Sequence, residues 1–82
     1  MRLTIIPCDS RVVKNGVAHD VDLSNIHPLI HAIQWHDNWG EIEWKDERGR
    51  LVRNEEIESI EEYEWVLDLW QAQEDISQLS EQ

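Results

Sequence analysis

The sequence predicts an α+β fold: a small antiparallel β-meander of about five or six short strands, followed by one long C-terminal helix. Three observations carry this expectation. Asn15-Gly16 lies between two β-forming runs, the pattern of a tight hairpin. Glu41-Ile42-Glu43-Trp44-Lys45 alternates strictly between polar and apolar residues. From Ser59 the apolar period changes, and neither proline nor glycine interrupts the chain through Gln82. Eighty-two residues suit a single domain, β-rich over 1–58 and helical over 59–80.

Each element has its own reason. Arg2 to Ile6 is rich in β-formers and closed by Pro7, which suits a first strand. Arg11 to Val21 forms the hairpin, because both central residues of its turn need positive φ and Asn-Gly supplies them. Asp22-Leu23-Ser24-Asn25 is a turn-rich stretch, and Pro28 holds His27 extended. Leu29 to Trp35 reads as a strand with His31, Ile33 and Trp35 on one face. His36 to Gly40 reads as a loop, after which Glu41 to Lys45 places Ile42 and Trp44 inward. Asp46 to Gly49 is a second turn before a short strand at Arg50 to Arg53. Ser59-Ile60-Glu61-Glu62 fits a capping box opening a helix from about Ile60 to Leu79.

Charge is divided unevenly. The chain carries 18 acids and 7 bases, a net charge of −11. Every lysine and arginine lies at or before Arg53, and the remaining 29 residues hold ten acids and no lysine or arginine. Such a balance argues against a nucleic-acid partner, which needs a basic face to displace phosphate counterions. Crowded carboxylates repel, which predicts raised acid pKa values and a stability that rises from about pH 7 towards about pH 5. No apolar run is long enough to span a membrane and no signal-peptide pattern is visible, so no membrane partner is expected.

The helix has two apolar stripes. At 100° per residue, Ile60, Tyr63, Val66, Leu67 and Trp70 cluster on one side. Trp65, Leu69, Ala72, Ile76 and Leu79 cluster nearly opposite, at steps of four, three, four and three. A sheet covers one face of a helix. The second stripe therefore needs either a loop of the same chain or another subunit or protein, and the partner reading is the stronger. Asp68 and Asp75 flank it without a cation in the helix, so a basic partner or an antiparallel arrangement is favoured over parallel self-pairing. Of the five tryptophans, Trp35, Trp44 and Trp70 suit the core, whereas Trp39, in its loop beside Gly40, reads equally as an interface anchor or a lid. The candidate partner-binding residues are thus Trp65, Leu69, Ala72, Ile76, Leu79 and Trp39.

Chemistry is not announced. His27 and His31 are four apart, but Pro28 breaks the helix that zinc ligation at this spacing needs. Cys8 adjoins Asp9, which disfavours a thiolate, and the three glycines form no phosphate-cradling loop. Glu41 and Glu43 share a strand face without a cleft. No catalytic residue, cofactor or metal site is expected, and the chain reads as a non-enzyme.

Val21-Asp22-Leu23-Ser24, His31-Ala32-Ile33-Gln34-Trp35, Gly40-Glu41-Ile42-Glu43, Asn54 with Ile57, and Leu67-Asp68-Leu69-Trp70 together resemble small proteins of bacteriophage and prophage tail or tail-fibre modules. The likeness spans most of residues 12 to 75, and its most specific part is the His31–Trp35 run with Gly40–Glu43. It implies a virion component or assembly factor acting through contacts with itself or another phage structural protein. Such a protein would reside in the host bacterial cytoplasm during assembly, or in the virion. The acidic C-terminal third supports an alternative, an inhibitor or DNA mimic aimed at a basic site on a host protein. A ligand- or metal-binding domain using the histidines ranks last.

Overall fold

The computed structural model describes residues 1–80. Its six strands are β1 (Arg2–Ile6), β2 (Arg11–Lys14), β3 (Val17–Asp20), β4 (Ile30–His36), β5 (Trp39–Lys45) and β6 (Leu51–Ile57), and its helix is α1 (Glu64–Ser80). The strands form one antiparallel sheet in the order β3-β2-β1-β4-β5-β6, so the predicted α+β fold is observed. They run as two three-stranded meanders. The chain leaves the β3 edge, passes through Val21–Leu29, and returns to pair β4 beside β1.

Turn chemistry sets the register. Asn15 and Gly16 both take positive φ, 49° and 86°, as the two-residue hairpin requires. The Asn15 side-chain oxygen also accepts the Arg2 backbone N–H at 2.9 Å, tying the turn to β1. Between β5 and β6, one Asp46 carboxylate oxygen accepts the N–H groups of Arg48 and Arg50, each at 2.9 Å. The sequence reading of a short strand at Arg50–Arg53 is too short: β6 has seven residues. It is an edge strand exposed over all but Ile57, so its acids at Glu55 and Glu56 carry no alternation to read.

Two further expectations are corrected by the pairing. A bulge between Ile30 and Ala32 leaves His31 as the extra, half-buried residue. The phase therefore shifts, and Ile30, not His31, shares the face of Ile33 and Trp35. Trp39 lies in no loop; it opens β5 opposite His36 across a two-residue turn in which Asp37 has φ 59°.

Leu3, Ile5, Val12, Ile33, Trp35 and Ile42 project from one face of the sheet by register, and all are buried. The Val21–Leu29 connection adds Leu23 and Ile26 to this core, and the helical end adds Tyr63, Val66 and Trp70. At Gly40 no side chain fits, because a Cβ would stand 2.4 Å from the Gln34 carbonyl oxygen and 2.8 Å from the Trp35 ring. The absent side chain is what lets the Trp35 indole approach the β5 backbone at Gly40.

The helix begins differently from the expected capping box. The Ser59 hydroxyl accepts the N–H of Glu61 at 3.2 Å, not that of Glu62, and the first turn, Glu61–Tyr63, is a tight 3₁₀ turn. That tighter winding carries Tyr63 inward to a buried position. α1 then packs on β2 and β3 and continues past the sheet, giving the molecule a 45 Å long axis against 27 and 19 Å. No helix among the described residues is long and apolar enough to cross a membrane.

Candidate functional site

The stripe of α1 facing the sheet is the first one identified in the sequence. Tyr63, Val66 and Trp70 are buried, with Ile60 and Leu67 partly so. Trp70 fixes this face. Its indole N–H donates to the Val17 carbonyl oxygen at 2.9 Å, the Lys14 ammonium lies 4.8 Å from the ring centre, and the His19 ring lies 5.3 Å away. One turn on, Glu74 accepts from His19 Nε2 at 2.7 Å; a carboxylate only accepts, so that nitrogen carries the proton.

The opposite stripe is largely bare. Leu69, Ile76 and Leu79 are 37%, 58% and 69% exposed, and Ala72 is exposed as well. Trp65 alone of this stripe packs partly against the core. Trp39 is exposed too, stacked on His36 at 4.9 Å. The pairing register puts it with Glu41 on the sheet face away from α1. The structure therefore joins five of the six candidate residues along one helix and sets Trp39 apart on the other side of the sheet.

A cleft of about 330 Å³, absent from the sequence reading, opens where α1 begins. Its walls include His27 from the β3–β4 connection, Trp44 of β5, Glu55 of β6, Glu62 and Tyr63 of the 3₁₀ turn, and Trp65 of α1. Trp44 was expected in the core; it points to the core side of the sheet but stays half-buried, because α1 roofs the other end. The His27 ring meets it edge-on at 5.3 Å, and its indole N–H donates to Glu55 at 3.1 Å. The Arg53 guanidinium lies 5.0 Å from the Trp44 ring centre. Burial pushes the Tyr63 phenol up to about 12, helped by the charge and hydrogen bond of Glu62 and by the charge of Glu55. No local pattern in the sequence signals this cleft, because its walls come from four separate segments of the chain.

The remaining polar groups are dispersed. Among the described residues no three His, Cys, Asp or Glu side chains converge on a point that could hold a metal ion. Cys8 is free and exposed, with Asp9 at 3.9 Å. The carboxyl groups that depart from their ordinary value do so downward, against the expectation from crowding. Hydrogen bonds from Ser24 lower Asp22, the Met1 amino group lowers Asp37, and hydrogen bonds from His19 and Gln78 lower Glu74. Each has a donor in reach, and a donor outweighs the diffuse repulsion of exposed neighbours.

Compared with protein-family models, curated proteins and solved structures, the chain matches none. The residues behind the phage-tail resemblance are, in part, a packing unit: Ile33 pairs with Ile42, Trp35 with Gly40, and the Gln34 amide reaches Glu43 at 3.4 Å.

Proposed function

We propose that this chain is a non-enzymatic protein-contact module of a phage tail assembly, a virion component or an assembly factor, with α1 as its docking element. The observation that carries the contact role is the bare stripe of Leu69, Ala72, Ile76 and Leu79, beyond the reach of the chain's own sheet. Apolar side chains at coiled-coil spacing gain most when a second helix covers them. The flanking acids favour a basic partner protein or an antiparallel arrangement over parallel self-pairing. The resemblance of the β4–β5 residues to tail-module proteins supports the phage setting, in the host cytoplasm during assembly or in the particle.

The test is Leu69→Glu with Ile76→Glu. Both positions are exposed, so the circular dichroism spectrum should be unchanged, while oligomeric size or capture of the neighbouring tail-gene products should be lost. Unaltered size together with unaltered capture would reject the docking role. The ten acids after Arg53 support a second reading, an inhibitor or nucleic-acid mimic that occupies a basic host site. Ionic strength separates the two: binding through carboxylates collapses as salt rises, whereas an apolar seam persists.

A further inference from the structure

The cleft beside the start of α1 lies outside the helix stripe and has a chemistry of its own. We infer that it is a receptor for one arginine side chain of a protein partner, held between the aromatic walls of Trp44, Tyr63 and Trp65 and the carboxylates of Glu55 and Glu62. Four features carry this. Indole and phenol faces attract cations through their ring quadrupole, tryptophan most strongly. The two carboxylates come from different elements, β6 and the 3₁₀ turn, and both line the cleft. No lysine or arginine is among the lining residues, and although Arg53 Nη1 lies 3.9 Å from Glu55, Glu62 has no cationic partner among the described residues. At about 330 Å³ it sits at the small end of ligand-site volumes (roughly 300–1,000 Å³), which suits a single side chain.

Arginine is preferred over lysine because a planar guanidinium stacks on a ring while its edge donates to carboxylates. The chain already carries that arrangement on two of the cleft's own wall residues: Arg53 lies over Trp44 with Nη1 3.9 Å from Glu55, so a partner arginine takes the remaining ring surface and Glu62, or displaces Arg53. That the side chain comes from a protein rests on the contact reading above; the cleft's preference for a guanidinium does not.

The experiment follows the indole N–H signals of Trp44 and Trp65 by NMR in the full chain during titration with a blocked Gly-Arg-Gly peptide. Both signals should move saturably. The same peptide with citrulline, neutral and nearly isosteric, should bind at least about tenfold more weakly, the equivalent of one charge-assisted hydrogen bond. Glu55→Gln with Glu62→Gln should cause a similar loss, since glutamine still accepts the Trp44 N–H and preserves the wall. The Leu69→Glu, Ile76→Glu variant should bind the arginine peptide unchanged. Equal binding of citrulline, equal binding by the glutamine variant, or the absence of saturable shifts at Trp44 and Trp65 would overturn the inference. Loss of peptide binding with partner capture intact would remove the cleft's role and leave the docking helix standing.

Discussion

The two halves of the sheet are built alike and finished differently. β1–β3 and β4–β6 are each three-stranded antiparallel meanders, yet α1 packs on β2 and β3 and leaves the β5–β6 end largely open. On the covered side, Trp70 is buried, its N–H bonded and its ring flanked by Lys14 and His19. On the open side, Trp44 is half-buried, with an arginine and an exposed glutamate for company. The same residue type thus serves as a bolt at one end and as a wall at the other. The helix closes the core at the first end and leaves aromatic surface partly uncovered at the second.

Trp70→Ala should produce the largest effect. It removes a buried indole, a hydrogen bond and the link between α1 and the β2–β3 hairpin, at a cost of about 3–5 kcal/mol. Urea denaturation followed by circular dichroism should report both the lower midpoint and a weaker helical signal. A loss below about 1 kcal/mol would mean that α1 is held by something other than this ring.

Gly40→Ala comes next and probes whether the open half is soft. It is not: a methyl group at Gly40 must push against the Gln34 carbonyl and the Trp35 ring, costing about 1–3 kcal/mol. The β4–β5 hairpin is therefore closely fitted at this point. Trp44→Ala should cost less than Trp70→Ala, about 1–2 kcal/mol, because the ring is only partly buried. Equal losses at the two tryptophans would erase the distinction between bolt and wall.

The elements that were legible in the sequence are those whose signal is local. Asn15-Gly16 specified its turn through backbone sterics alone, and the alternation of Ile42 and Trp44 gave β5 and its inward face. The helix was legible with both of its stripes, down to Val66 and Trp70 inside and Ile76 and Leu79 outside. What was not legible depends on pairing at a distance. The bulge that displaces His31 exists only because β4 must keep Ile30 and Ile33 on one face against Trp44 and Ile42. The length of β6 is dictated by its partner β5, not by its own exposed acids. The cleft was hidden for the same reason, since His27, Glu55 and Trp65 meet only once the β3–β4 connection, the last strand and the helix start are assembled.

The smallest expected effect concerns pH and belongs to the covered half, where Glu74 joins α1 to His19 of β3. Hydrogen bonds from His19 and Gln78 hold the Glu74 carboxyl below its ordinary range, so folding favours its charged form. The stability this contributes is fully present above the unfolded-state pKa and is lost as pH falls through the lower, folded value. Asp22 and Asp37 are lowered as well and act in the same direction. The melting temperature should therefore fall as the medium is acidified from about pH 5 to about pH 3, the reverse of what repulsion among the crowded acids alone would give. Glu74→Gln isolates one contribution, because Asp22 and Asp37 remain in both proteins and cancel in the difference. The variant should melt below the parent near neutrality, and the gap should narrow as pH falls through the folded-state value of the Glu74 carboxyl. A gap that stays constant across the range would mean that Glu74 holds the helix by its shape and not by its charge, and the pH dependence of the covered half would then lie elsewhere.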